Sequence, residues 1–140
     1  MSTALIAPPQ ATGHLLLFRG SPWPESGLSQ AEIRQAMDKM KAWFERLSAE
    51  GKLLAAQPLM EESVIITGKG GSLVTDGPFA EAKEAIGGYV LLSVDTMEEA
   101  VAIAKSNPMQ GPGLTTEVRA TSSSCPHTYR LVSQMAKAVA

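Results

Sequence analysis

The sequence predicts an α+β fold in which two helices cover one face of a largely antiparallel sheet. The order of segments favours this class, because apolar strand patterns and amphipathic helical patterns follow one another as strand, helix, strands, strand, helix, strand. The strands are also apolar on both sides. His14, Leu16 and Phe18 face one side of the first strand, and Leu15 and Leu17 face the other. We therefore expect a ferredoxin-like sandwich.

Length and charge restrict the function. The 140 residues, 44% of them hydrophobic, suffice for one domain with a single core. Basic residues number 12 and acidic residues 14, and neither sign forms a block. Because nucleic-acid binders carry a basic patch, we expect no direct contact with nucleic acid.

The first twelve residues, MSTALIAPPQAT, have no Lys or Arg and are broken by Pro8 and Pro9. They fit neither a secretory signal nor a membrane span, so we expect a flexible tail over residues 1–12 and no membrane association. Cys125 is the single cysteine and no Cys/His pair stands at zinc spacing, so we expect no disulfide, metal or cofactor. A reducing cytoplasm fits this composition.

The first strand, HLLLFR (14–19), is followed by a loop rich in Gly and Pro that is long enough to border a site. We expect Trp23 in this loop to cover a cleft or to pack at a dimer contact. Ser29 and Glu32 form a capping-box pattern, and Gly51 ends the helix after roughly 20 residues. Trp43 is expected at the core edge, beside the apolar stripe of Ile33, Met37, Met40, Phe44 and Leu47.

The middle of the chain predicts a short strand over 52–57 and then a β-hairpin. The segments SVIIT (63–67) and SLVT (72–75) flank residues 68–71, Gly-Lys-Gly-Gly, whose glycines accept the positive φ of a tight reversal. A phosphate-binding loop is the weaker interpretation, because no helix follows to direct its amides.

The last third of the chain predicts a strand over 88–94, a helix opened by Thr96 and Glu99, and a stop at Asn107-Pro108. A final strand is expected over 114–119, and residues 125–140 carry a weak helical pattern. We therefore divide the chain into a tail (1–12), an α+β domain (13–120) and a C-terminal helical extension (121–140).

The two-sided strands predict a homodimer. Two helices cover one face of the sheet, and an uncovered second face would expose a larger apolar patch than monomers usually tolerate. A second copy packed sheet against sheet is the simplest cover.

The stretch VTDGPFAEAKEAIGGY (74–89) is the most distinctive in the chain. Gly77 and Pro78 end the strand sharply, and Phe79 is expected to anchor in the core. In one interpretation Asp76 caps this turn and the charges that follow are solvated. In the other, Asp76 and the charged residues act as acid/base or ligand-orienting groups of a cleft, namely Glu81, Lys83 and Glu84.

Residues 74–108 resemble the signature region of YCII-related proteins, specifically the DGPF branch, and the resemblance spans roughly residues 13 to 120. It implies a dimeric α/β barrel. Some DGPF members occur beside extracytoplasmic-function sigma factors, and more distant relatives have a His–Asp pair in a cleft that suggests an enzyme. By position that pair falls near Met40 and Asn107, which cannot perform the proton chemistry.

Two functions follow as expectations. The first is a homodimer that binds a small molecule and transforms it without cofactor in a lyase or isomerase-type step, with Asp76 as proton acceptor or polar anchor oriented by Glu81, Lys83 and Glu84. Its substrate-binding residues would be Met40, Phe79, Tyr89 and Trp23. The second is a non-enzymatic regulatory module acting with a sigma factor. We expect His14 to be packed and Cys125 to be an idle thiol.

Overall fold

The computed structural model describes residues 6–24, 27–77 and 85–139. These residues form six strands and three α-helices. In chain order they are β1 (Ala11–Gly20), α1 (Gln30–Ala49), β2 (Leu53–Pro58), β3 (Ser63–Thr67), β4 (Leu73–Gly77), β5 (Ile86–Leu92), α2 (Met97–Lys105), β6 (Leu114–Ser122) and α3 (Pro126–Val139). The predicted α+β class is confirmed.

Four strands form the main sheet in the order β2-β5-β1-β6, and every neighbouring pair is antiparallel. Helix α1 connects β1 to β2, and α2 connects β5 to β6. This is the ferredoxin-like arrangement, with β3 and β4 inserted between its second and third strands.

The core lies between one face of this sheet and helices α1 and α2. Leu16, Val90 and Leu92 point from the sheet into the core, where they meet side chains of both helices, among them Leu47 and Ile103. Both helices therefore cover the same face, as predicted.

Helix α1 begins and ends as its sequence predicts. Ser29 Oγ accepts from the Glu32 amide at 3.1 Å, and the Glu32 carboxylate accepts from the Ser29 amide. At the other end Gly51 takes a φ of 72°, a conformation that favours glycine. These hydrogen bonds to Ser29 also lower the pKa of Glu32.

The expected position of Trp43 at the core edge is wrong. Trp43 is only 2% exposed, and its indole Nε1 donates to Ser106 Oγ at 2.8 Å. Met37, which we placed in the buried stripe, is exposed instead. The C-terminal half of α1 packs on the sheet through Trp43 and Leu47, whereas the N-terminal half leaves its apolar side chains partly accessible.

The hairpin of β3 and β4 forms a separate two-stranded sheet. Val64 pairs with Asp76 and Ile66 pairs with Val74, so these four residues share one face. The turn contains Gly68, Gly70 and Gly71, all with positive φ, which confirms the predicted hairpin.

The second face of the main sheet is apolar at its centre and charged at one side. Leu15, Leu17 and Leu91 are half-buried there. Arg19 Nη1 lies 2.5 Å from Glu117 Oε1 on the adjacent strands β1 and β6. We call this surface the outer face.

Residues 7–11 lie beside residues 122–124, at the edge where β1 pairs with β6. Strand β1 begins at Ala11, inside the segment that we expected to be a tail, and pairs there with Ser122. The amide of Gln10 donates to Ser123 Oγ at 3.0 Å, and Ser124 Oγ donates to the Ala7 carbonyl at 3.0 Å. None of the helices among the described residues has the length and apolar character needed to cross a membrane.

Candidate functional site: an apolar cleft beside helix α1

A cavity of about 570 Å³ lies beside the middle of α1, over the end of the core-facing side of the sheet. Small-molecule sites typically measure roughly 300–1,000 Å³, so a ligand of modest size fits. We call this cavity the cleft. Its apolar lining includes Phe18, Met37, Met40, Phe44, Ala56, Val90 and Leu114.

Helix α1 supplies one wall through Met37, Met40 and Phe44. These residues are spaced by three and four positions, which places them on one side of a helix. Methionine side chains are unbranched and adapt to irregular shapes, so this wall can adjust to a ligand. The Phe44 ring packs edge-on against Trp43 at 5.0 Å, which connects the wall to the core.

The sheet supplies the opposite wall, and glycines let the chain come close there. A Cβ atom on Gly88 would lie 3.1 Å from the Gln57 carbonyl oxygen on the neighbouring strand β2. Gly87 and Gly88 both line the cleft. The Gly-Gly pair thus keeps side-chain bulk out of this end of the cavity.

The loop after β1 closes one side of the cleft. The Ser21 amide donates to the Gly113 carbonyl at 2.9 Å, and the Trp23 amide donates to Ser21 Oγ at 3.1 Å. These bonds hold Pro22 and Trp23 against the cavity. Trp23 is 36% exposed and also borders a second depression.

Asn107 is the most buried polar residue in the cleft lining. It is 6% exposed and follows the C-terminal end of α2. Its Oδ1 accepts from the Met109 amide at 2.9 Å, in an Asx turn, which fixes the side-chain amide. Among the lining residues that the structure describes, no Asp, Glu, Lys, Arg or His is present.

Three of the four predicted substrate-binding residues border this cleft, namely Met40, Trp23 and Tyr89. Tyr89 lies opposite Leu17 on β1, so its side chain belongs to the outer face of the sheet. Phe79, the fourth, lies outside the described residues, as do Glu81, Lys83 and Glu84. Asp76 lies on β4, exposed and opposite Val64, and is not among the residues lining the cleft. The roles assigned to these residues stay predictions.

Sequence patterns did not identify the other lining residues as a site. Met37 and Phe44 belong to an apolar helical stripe, which usually forms core. In the sequence, Asn107 and Pro108 predicted only the end of the second helix. The signal that placed Met40 and Asn107 at one site was the resemblance to proteins with a His–Asp pair at these positions, and both residues do line the cleft.

The remaining candidate residues lie elsewhere. His14 is 2% exposed, and its Nδ1 donates to the Val94 carbonyl at 2.9 Å, so it is packed, as expected. Cys125 is exposed at the start of α3, where a side-chain hydrogen bond from Thr128 and the backbone amides of Thr128 and His127 lower its pKa. The pKa of Cys125 is thus lowered by hydrogen bonds at the start of the helix.

Within residues 6–24, 27–77 and 85–139, no group of three or more His, Cys, Asp or Glu side chains is placed to hold a metal ion.

The chain is thus an α+β protein of ferredoxin-like topology with an apolar cleft between its first helix and its sheet. The model of the YCII-related domain matches residues 17–122, more than half of the sequence, and the protein belongs to the YCII-related family. No curated protein matches the chain.

Proposed function

We propose that this protein is a homodimer that binds a small, largely apolar molecule in the cleft. The observation that supports binding is the cavity of about 570 Å³, whose described lining is apolar apart from a few uncharged polar groups. Sites of this size and composition bind ligands by burying their apolar surface, and a few polar groups set the orientation.

Binding is better supported than acid–base catalysis. Distant relatives have a His–Asp pair, and by position that pair falls near Met40 and Asn107 in this chain. Neither side chain exchanges a proton near neutral pH. A lyase or isomerase-type step without cofactor therefore depends on Asp76, helped by Glu81, Lys83 and Glu84. That step is a further proposal, supported by the Asp-Gly-Pro-Phe sequence, which resembles the DGPF branch of the family.

The dimer is supported by the amount of apolar surface that one chain exposes. Among the described residues, ten hydrophobic side chains are buried, whereas fifteen large hydrophobic side chains are exposed. The exposed set includes both strands of the hairpin and one side of α3. Together with the half-buried leucines of the outer face, these side chains are the apolar surface that a second copy would cover.

Ligand binding is tested with a bulky substitution at the mouth of the cleft. A metabolite panel is screened by thermal shift against the wild type and Met37→Trp, because Met37 is an exposed lining residue that tolerates a larger side chain. Ile33→Trp is the matched control, since Ile33 is exposed one turn earlier on α1 and is not part of the lining. Ligands that stabilise the wild type and Ile33→Trp but not Met37→Trp support the proposal. Equal responses of all three proteins contradict it.

Asp76→Asn is included in the same screen. A catalytic or anchoring Asp76 predicts a weaker response to true ligands, while an unchanged response removes Asp76 from the site.

The dimer is tested by sedimentation. Leu17→Lys places a charge at the centre of the outer face, and we expect the dimer to dissociate while the far-UV circular dichroism is retained. Met60→Lys is the control, because Met60 is exposed in the loop after β2. A wild-type protein that sediments as a stable, folded monomer at micromolar concentration contradicts the proposal.

A second proposal is a regulatory module that acts with an extracytoplasmic-function sigma factor in the cytoplasm. It is supported by the DGPF resemblance, by the absence of a His–Asp pair at Met40 and Asn107, and by the single cysteine. A stoichiometric sigma factor in a pull-down would favour it. Ligand binding in the cleft without such a partner would favour the first proposal.

A further inference from the structure

Asn107 holds its side chain in one orientation. The Asn107 amide donates to the Ala104 carbonyl at 3.3 Å, and the Asn107 carbonyl accepts from the Gln110 amide at 3.1 Å. The side-chain Oδ1 is also engaged, because it accepts from the Met109 amide. Only an oxygen can accept that bond, so Nδ2 is the atom left for other partners.

Nδ2 of Asn107 has two N–H donors and no acceptor among the described residues. The same part of the chain holds no fully buried side-chain nitrogen or oxygen that lacks a hydrogen-bond partner. Nδ2 therefore keeps some accessible surface. Since Asn107 is 6% exposed and lines the cleft, we infer that this surface faces the cavity.

A donor in an apolar cavity favours a particular ligand chemistry. An unpaired N–H loses its hydrogen bonds to water when an apolar ligand fills the space around it, whereas a ligand oxygen restores one bond. An ionised ligand has a larger desolvation cost, and the described lining offers it no cationic side chain. The best ligand therefore has an apolar body and an uncharged acceptor.

We propose that the cleft selects uncharged, largely apolar molecules that carry a carbonyl or similar neutral oxygen, and that Asn107 Nδ2 donates a hydrogen bond to that oxygen. This inference rests on the proposed function, since it names the ligand class of the same cleft. Asn107 acts here as a binding residue that sets orientation and specificity.

Three naphthalene probes test the ligand class. 2-Acetylnaphthalene carries a ketone, 2-isopropenylnaphthalene replaces its C=O by C=CH2 with nearly the same shape, and 2-naphthoate carries a negative charge. Dissociation constants are measured by titration calorimetry at one pH and salt concentration. We expect the ketone to bind roughly 3- to 10-fold more tightly than the alkene, the range that one net hydrogen bond gives. We expect naphthoate to bind more weakly than either.

The Asn107→Asp variant removes the N–H donor but keeps the oxygen that accepts the hydrogen bond of the turn. An aspartate keeps an oxygen that can accept from the Met109 amide, but it has no N–H to offer the cleft at neutral pH. We expect the preference for the ketone over the alkene to disappear, and both probes to bind more weakly than to the wild type, because the charged carboxylate loses hydration when either probe fills the cleft. Lowering the pH until the introduced carboxylate is protonated restores an O–H donor and with it part of the preference.

The outcomes distinguish the ligand class from the proposed function. If Met37→Trp leaves the binding of every probe unchanged, the cleft is not the site and both proposals fail. If no probe binds, the assigned ligand class is overturned, and the metabolite screen decides cleft binding. If Met37→Trp blocks binding but the ketone and alkene bind equally to the wild type, cleft binding stands and the assigned class is overturned. A ketone preference that survives Asn107→Asp, or tighter binding of naphthoate, also overturns the class.

Discussion

Gly20 controls the loop that closes the cleft, so Gly20→Ala should affect stability and the position of Trp23 together. Gly20 has a φ of 84°, and a Cβ atom there would lie 2.2 Å from the Gly113 carbonyl oxygen. That oxygen is the acceptor for the Ser21 amide. Alanine must therefore adopt a left-handed conformation and also displace the loop from its hydrogen-bond partner.

The left-handed conformation costs roughly 1–2 kcal/mol for a residue with a Cβ atom. Loss of the Ser21 hydrogen bond adds about 0.5–1.5 kcal/mol. We therefore expect a loss of about 2–3 kcal/mol in the free energy of unfolding. At this chain length, that corresponds to a fall in melting temperature of roughly 6–12 °C.

Two measurements check this prediction. Thermal unfolding at fixed protein concentration gives the stability change, because an oligomer's melting temperature depends on concentration. Acrylamide quenching reports on the loop, since Trp23 is 36% exposed and Trp43 is 2% exposed, so the quenchable emission comes mainly from Trp23. We expect more quenching in Gly20→Ala.

Gly27→Ala is the matched control from the same connection. Gly27 has no positive φ, and a Cβ atom there meets nothing within 4 Å, so we expect a change within about 0.5 kcal/mol. A Gly20→Ala protein that melts within about 1 °C of Gly27→Ala, with unchanged quenching, would refute the reasoning.

Three further predictions concern single contacts. Ser106→Ala removes the acceptor of the buried Trp43 indole, and chemical denaturation should show a loss of about 1–3 kcal/mol, whereas Ser48→Ala on the exposed side of α1 should be nearly neutral. Thr128→Val removes a hydrogen bond that lowers the Cys125 pKa, so the midpoint of the pH profile for iodoacetamide alkylation should rise; an unchanged midpoint would contradict this. Glu32 has a lowered folded-state pKa, so its stabilising contribution is present above the unfolded pKa and is lost as the pH falls through the folded value. Glu32→Gln should therefore reduce the acid dependence of unfolding below about pH 4.5.

Local sequence signals predicted the elements well because each acts within a few residues. The Ser29 and Glu32 pair fixed the start of α1, and Gly51 marked its end. The glycines of residues 68–71 predicted the hairpin turn, since positive φ there costs a side-chain-bearing residue energy. The capping prediction at Thr96 and Glu99 is confirmed in one direction: Thr96 accepts from the Glu99 amide, while the Glu99 carboxylate lies 3.5 Å from Lys52 Nζ.

Local sequence patterns predicted the candidate site less well than they predicted the helices and strands. An apolar stripe on α1 has the same pattern whether it faces a packed sheet or a cavity, so Met37 was expected in the core and Trp43 at its edge. The structure reverses these two positions. The distinctive Asp-Gly-Pro-Phe stretch directed attention to Asp76, which lies apart from the cleft lining on the exposed hairpin.

The sequence by itself determined the class of fold, the order and ends of the elements, and the apolar character of both sides of the sheet. These follow from periodicity, capping and turn residues, which are properties of neighbouring positions. Only the tertiary structure decided that the middle of α1 borders an apolar cavity and that Asn107, far from Met37 and Phe44 in the chain, lines that cavity with them. The distance between helix and sheet depends on how all the side chains between them fill the available volume, and no local pattern encodes that sum.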